Sequence, residues 1–335
     1  MILWGLMIAG CLLSLPFAHL LGSLLLLKHA LSSFWLLYPL LRARLVSIDE
    51  EIALKYGKGS WVLVTGASDG IGLAFARHFA GLGFNIVLVS RDRAKTEEAA
   101  KGVREAGLAR GRRVETRVLV KNFRESLRPG FFAEFESLFS ELEFSIIVNC
   151  VGVSVIEKSF SETLEDTSLR TLADGVAINC AAQVVLHSLA EKFRRKSKNR
   201  LAFIDVSSLN SDLYLNPGEV YSSTKAFNRY FTVSRASRAP EGVDYLCCLA
   251  GPVETSILKH LPDFNPRFLP RISPEKCVRD LLASLGRVSE TPGAANHVFF
   301  GAAHLIFHDV FEPLYLTIKR VIRYYLIDRK KRSDN

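Results

Sequence analysis

Tyr221 and Lys225 stand four residues apart, a spacing that puts both on one face of a helix. A phenol with its ordinary pKa of about 10 is a poor acid–base catalyst at neutral pH, and a nearby ammonium lowers that pKa. Thirteen residues before Tyr221 stands Ser208, just past the apolar run Leu201-Ala202-Phe203-Ile204-Asp205-Val206. A hydroxyl at the end of such a strand, beside the switch of a parallel sheet, is where a substrate-polarising group belongs. Proton donor, ammonium and hydroxyl together point to acid–base chemistry on a polarised substrate.

These side chains need a scaffold, and the chain supplies one. Strand-like runs at 61–65, 85–89, 114–119, 144–149, 201–206 and 243–248 alternate with helical patterns such as 70–82, 93–107 and 219–237. Repeated βα units predict an α/β fold, a doubly wound parallel sheet with right-handed crossovers.

The first strand runs straight into Thr65-Gly66-Ala67-Ser68-Asp69-Gly70-Ile71-Gly72, where a helix begins. Gly66 permits the tight turn, Gly70 lets backbone approach a pyrophosphate, and Gly72 lets helix and strand pack closely. The helix N-terminus then faces the anion. This strand–turn–helix context predicts a dinucleotide site. The second strand selects the nucleotide: it ends in Ser90-Arg91, with no carboxylate at its tip and Asp92 after the arginine. A carboxylate there would bond a ribose 2′-hydroxyl, whereas a guanidinium takes a 2′-phosphate bidentately. NADPH is therefore the expected cofactor.

The ordered set of glycines, Asn149, Asn179, Ser208, Tyr221 and Lys225 resembles the short-chain dehydrogenase/reductase family across residues 55–290. The resemblance implies a Rossmann fold and a catalytic set of Asn179, Ser208, Tyr221 and Lys225. It implies that serine polarises the carbonyl and tyrosine passes the proton. Lysine would bind the nicotinamide ribose, and asparagine would hold a proton-relay water. Asn149-Cys150-Val151-Gly152 is similar to the family's NNAG motif, and Gly251-Pro252-Val253-Glu254-Thr255 to its PGxVxT segment. Gly66, Ser68, Asp69, Gly70, Ile71, Gly72, Arg91, Asn149, Val253 and Thr255 are thus expected at the cofactor, with Tyr221 and Lys225. Cys150 stands where the second asparagine is usual, Ala250 where proline is, and Lys121-Asn122 where an aspartate is common.

The lead-in Lys55-Tyr56-Gly57, Trp61, the loop Ser68-Asp69-Gly70 and the pair Ser90-Arg91 resemble one membrane-bound branch. That branch holds the very-long-chain 3-oxoacyl-CoA reductases and related hydroxysteroid dehydrogenases. It implies reduction of a lipid ketone, with a long-chain acyl-CoA favoured, in very-long-chain fatty acid elongation. A ketosteroid and a 3-ketosphingoid base are the alternative substrates. An inactive, membrane-associated cofactor-binding protein is the alternative from another class, and the presence of tyrosine, serine and lysine together argues against it.

The ends of the chain carry a different signal. Residues 1–27 contain no Asp, Glu, Lys or Arg, enough for a membrane helix of about 40 Å. No basic residue precedes Lys28, so the segment does not read as a cleaved signal peptide. Lys28, Arg42 and Arg44 on its C-terminal flank place the body in the cytosol by the positive-inside rule. Of a net charge of +9, +5 lies in the last 17 residues, and Leu314, Ile318, Val321, Ile322 and Tyr325 form one apolar helical face. This predicts a C-terminal helical extension, either in a membrane interface or packed on the domain.

Three regions follow: an anchor at 1–44, the reductase domain at 55–290, and a C-terminal amphipathic helix with basic tail at 291–335. Six dispersed cysteines without a CxxC pair exclude a zinc site and a disulfide scaffold. No aromatic platform accompanies the basic tail, so nucleic acid is not an expected partner. The endoplasmic reticulum membrane, with the domain facing the cytosol, is the expected location. Other elongation enzymes and a second copy of the chain are further candidate partners.

Overall fold

The computed structural model describes residues 47–155, 164–194, 200–212, 218–259 and 271–293, with isolated residues between 19 and 34. The expected C-terminal helix and nearly all of the anchor lie outside the described residues. So do parts of the loops at 209–218 and 256–273.

Seven parallel strands form one sheet: β1 (Trp61–Thr65), β2 (Asn85–Ser90), β3 (Thr116–Val120), β4 (Phe144–Asn149), β5 (Leu201–Val206), β6 (Val243–Cys248) and β7 (Glu290–Thr291). They lie in the order β3-β2-β1-β4-β5-β6-β7. The chain works outward from β1 to β3, then returns to lay β4 on the other side of β1. The topological switch point therefore falls between β1 and β4, where a parallel sheet opens a crevice at its strand C-termini.

The central strands β1, β4 and β5 are buried along their whole length, as a sheet covered on both faces requires. Alternate residues supply two cores. Val62, Val64, Ile86, Leu88, Ile146, Val148 and Ile204 face one side, with helices α1 (Ile48–Tyr56), α2 (Gly70–Leu82), α3 (Arg93–Leu108) and, late in the chain, Pro274–Leu282. Leu63, Val87, Val89, Ile147 and Phe203 face the other, under α4 (Ala133–Glu141) and the helical stretch Leu169–Arg194. This two-sided wrapping is the doubly wound arrangement expected.

Most boundaries agree with the sequence reading to within a residue or two, and three elements bear comment. Strand β3 begins at Thr116, because Glu115 is tied at its lead-in: its N–H donates to the Asn85 side chain at 2.8 Å. Strand β7, two residues long, carries no periodic signal. Helix α1 precedes the expected start of the domain and is held to the body. Tyr56 is fully buried, and its hydroxyl donates to Asp244 at 2.9 Å, beside Lys55 at 3.1 Å from the same carboxylate.

Among the described residues one helix, Leu169–Arg194, is long and apolar enough to cross a membrane. Half of its apolar window is buried in the domain, which makes it a core helix. It comprises α5 (Leu169–Val176), one π turn (Ala177–Ala181) and α6 (Ala182–Arg194). The catalytic-helix candidate, α7 (Glu219–Ala236), packs beside it. The helix Pro274–Leu282 is α8.

Candidate active site

The predicted site residues gather at the C-terminal ends of β1, β2, β4, β5 and β6. Strand β1 turns through Gly66, with φ at +67°, into α2. A Cβ on Gly72 would collide with the Gly66 carbonyl, so only glycine lets the helix start this close to the strand. At Gly70 a Cβ would lie 2.9 Å from Thr255 Cγ2. This places the segment after β6, and with it Val253, across from the glycine loop. Asp69 is exposed and caps α2, accepting from Gly70 N–H at 2.7 Å. Ile71 packs against the core.

The glycine loop is tied to the tip of β2 by the hydroxyls of Ser68 and Ser90, 2.8 Å apart. Arg91 follows, exposed and without an ion-pair partner among the described residues. The adjacent carboxylate is otherwise engaged. Asp92 caps α3, accepting from Lys95 N–H at 3.0 Å. A free guanidinium at the strand tip and a spent carboxylate beside it suit a phosphate better than a hydroxyl.

Between β1 and β4, Thr65 Oγ1 accepts from the N–H groups of Cys150 and Val151 at 3.0 and 3.1 Å. This fixes the loop that leaves β4. Asn149 is buried, and its amide donates to Asp205 on β5 at 2.7 Å. The structure therefore places Asn149 as a strut between strands.

On the other side of the crevice, Lys225 is buried in α7 and donates from Nζ to the Val206 carbonyl at 2.9 Å. The same Nζ lies 5.7 Å from the centre of the Tyr221 ring. Ser207 Oγ donates to the Lys225 carbonyl at 2.7 Å, so β5 and α7 are laced together at this turn. Ser208, the next residue, is nearly buried, and its Oγ accepts from Asn210 N–H at 3.1 Å. That bond leaves the Ser208 hydroxyl hydrogen available to a substrate oxygen.

Asn179 sits in the π turn that interrupts the Leu169–Arg194 helix, a distortion frequent at functional sites. Its Oδ1 accepts from Val153 N–H at 2.9 Å, and its Nδ2 donates to the Val153 carbonyl at 3.1 Å and to Thr224 Oγ1 at 2.9 Å. A Cβ on Gly152 would lie 3.2 Å from Lys225 Nζ and 3.5 Å from Asn179 Oδ1. Lys225 and Asn179 thus meet at the loop after β4, with the Tyr221 ring beside Lys225 and Ser208 two residues past the Val206 carbonyl that Lys225 holds.

Sequence reasoning missed a buried polar group behind Asn179. Asp205 accepts from Asn149, from Thr232 Oγ1 at 2.7 Å, and is 3.1 Å from His187 Nε2. Burial pushes the Asp205 carboxyl up, but the charge of His187 and the bonds from His187, Asn149 and Thr232 hold its pKa below the ordinary value. Asn228 donates to the Asn179 carbonyl at 2.8 Å, and Gln183 Nε2 donates to the Asn228 carbonyl at 3.1 Å. One signal was present: an aspartate inside the otherwise apolar strand 201–206 must have partners.

The glycine cradle, the α2 N-terminus and Thr255 across from Gly70 fit a nicotinamide dinucleotide. The short chain dehydrogenase family model matches residues 60–265. A very-long-chain 3-oxoacyl-CoA reductase of Podospora anserina is 33% identical over 241 residues, covering 71% of this chain and 64% of that protein, so the chain spans less than two thirds of that relative. The protein of the same name from Anas platyrhynchos is 29% identical, covering 74% of this chain and 76% of that one. Among solved structures, a 7beta-hydroxysteroid dehydrogenase aligns with a TM-score of 0.63 at 23% identity, over 75% of this chain and 92% of its own. A short-chain dehydrogenase from Sphingobium yanoikuyae in complex with NADPH aligns with a TM-score of 0.60 at 21% identity, over 75% and 96%. The chain belongs to the short chain dehydrogenase family and is an oxidoreductase.

Proposed function

We propose that this family member reduces a lipid ketone with NADPH, and that the ketone is a long-chain 3-oxoacyl-CoA, reduced to the 3-hydroxyacyl-CoA. The observation that carries the reading is the placement of Lys225 Nζ between the Val206 carbonyl and the Tyr221 ring, one strand-end from Ser208. Bound NADPH supplies a hydride to the carbonyl carbon.

Every other part belongs to the chain. Ser208 donates its free hydroxyl hydrogen to the carbonyl oxygen, drawing charge onto it. Tyr221 gives its phenolic proton to that oxygen as the alcohol forms. The Lys225 ammonium steadies the phenolate left behind, and with one of its three N–H groups on Val206 it keeps two for the nicotinamide ribose. Asn179 holds the loop after β4 through Val153. Thr255 and Val253 border the cofactor, and Arg91 meets its 2′-phosphate.

The substrate class is supported by the relatives' names and by sequence features. The uncharged stretch 1–27 would anchor the domain at the cytosolic face of the endoplasmic reticulum, beside its lipid. By sequence, the segment 256–273 carries Lys259, Arg267 and Arg271, basic charge suited to the phosphates of CoA. The test is kcat/KM for 3-oxoacyl-CoAs of increasing length beside a ketosteroid and 3-ketosphinganine. The acyl-CoA is expected to lead. A far higher kcat/KM for either competitor would overturn the substrate while leaving the catalytic residues in place.

A further inference from the structure

We infer that Asn228 is a positioning residue for the Tyr221–Lys225 pair, acting through Asn179. This rests on the reading that the pair delivers the proton. Asn228 lies on α7 one turn beyond Lys225, on the same buried face. It makes no hydrogen bond to Tyr221 or to Lys225 among the described residues, and its link to the site is Asn179. Its amide donates to the main-chain carbonyl of Asn179 at 2.8 Å.

That carbonyl belongs to the π turn, where the ordinary helical bond pattern is broken. An external donor therefore decides how the turn is set. The turn fixes the Asn179 side chain, which clamps Val153 through both its amide atoms at 2.9 and 3.1 Å. Val153 follows Gly152, whose Cα faces Lys225 Nζ closely enough that a Cβ would sit 3.2 Å from it. The Asn179 amide also donates to Thr224 Oγ1, and Thr224 Oγ1 donates to the Tyr221 carbonyl at 2.8 Å. Two short chains of contacts thus run from Asn228 through Asn179, one to the lysine and one to the tyrosine.

Asn228 is itself held from behind. Gln183 donates to its carbonyl at 3.1 Å and to Thr232 Oγ1 at 2.8 Å, and Thr232 is bonded to the buried carboxylate of Asp205. Asn149 and Asn228 line a cavity of about 10 Å³, and each has a side-chain oxygen without a partner among the described residues. A packed apolar side chain would fill the space between α6 and α7 at lower cost than this many buried polar atoms. Their arrangement serves the geometry of Asn179.

The experiment compares wild type with Asn228→Asp, which keeps the shape but loses the amide donations to the Asn179 carbonyl and to Gln183 Oε1, and with Gln183→Met, which removes the second of these partners alone. Steady-state kinetics, NADPH titration and amide exchange at residues 151–155 are read on folded protein. In N228D, kcat is expected to fall roughly 10-fold to 10²-fold, as for misplaced reacting groups. KM and NADPH affinity should stay near wild type, and Val153 N–H should exchange about tenfold faster, the scale of one lost hydrogen bond. Q183M should show the same pattern, weaker. Unchanged kcat or unchanged exchange in both variants overturns the assignment, and so does loss of folding in both, which would make the residue a folding element. A wild type that reduces no ketone removes the underlying reading instead, and the exchange arm then decides whether Asn228 sets the loop.

Discussion

The ammonium of Lys225 sits 5.7 Å from the centre of the Tyr221 ring while donating to the Val206 carbonyl at 2.9 Å. The lysine is buried, so its head group is held at the ring by packing as well as by that bond. Strand β5 aims it: the carbonyl of its last residue holds the ammonium, and Ser207 holds the lysine's own carbonyl.

Arg91→Ala tests the choice of cofactor. Only NADPH carries the 2′-phosphate, so its affinity should fall by about tenfold or more, the range of charge-assisted hydrogen bonds. NADH affinity should barely move. Fluorescence titration with both nucleotides measures this, and equal weakening would make Arg91 a structural residue.

Gly72→Ala tests the cradle. The new methyl would press on the Gly66 carbonyl, which is backbone and has no rotamer to yield. Overpacking of this kind costs about 1–3 kcal/mol. A lower denaturation midpoint and weaker NADPH binding are expected together. A variant with wild-type stability and affinity would show that α2 can shift away from β1 freely.

Asp205→Ala tests the buried polar group. It strands the donors on Asn149 and Thr232 and leaves His187 without its carboxylate. Breaking a buried pair from one side costs about 3–5 kcal/mol, readable in a urea melt. A loss under about 1 kcal/mol would mean that the group is hydrated.

The acid side of the stability curve has a worked sign. Asp49 pairs with His78 Nε2 at 3.0 Å and accepts from Arg110 at 2.9 Å, and those partners hold its pKa down at about 2 against burial. A carboxyl depressed on folding stabilises fully above its unfolded pKa, near 4, and loses that contribution as pH falls toward 2. Asp205, also depressed, acts in the same direction. Asp49→Asn should therefore lower stability at neutral pH and flatten the decline below about pH 4. A melting series across pH 2–7 checks both.

Much of this was legible from the chain alone because the signals are local. The glycine loop, the Ser90-Arg91 tip and the Tyr221–Lys225 spacing each lie within one turn or strand end, where backbone geometry ties residue type to position. Asn228, Gln183 and His187 were not legible. Each reads singly as a polar residue on a helix, and only the packing of α6 on α7 shows that they face one another. Strand β7 was invisible because two residues have no period. The order of strands required the sheet itself: nothing local says that β4 returns beside β1.

The most direct measurement follows hydride and proton together. NADPH deuterated at the transferring position is mixed with purified protein and a long-chain 3-oxoacyl-CoA, for wild type and Tyr221→Phe. The account predicts a 3-hydroxyacyl-CoA with one deuterium at carbon 3 in wild type. In the variant, turnover falls about 10²-fold to 10⁴-fold while NADPH still binds, the range for one positioned acid–base group. A protein that binds NADPH but labels no ketone, or a Tyr221→Phe variant that turns over at full rate, would contradict it.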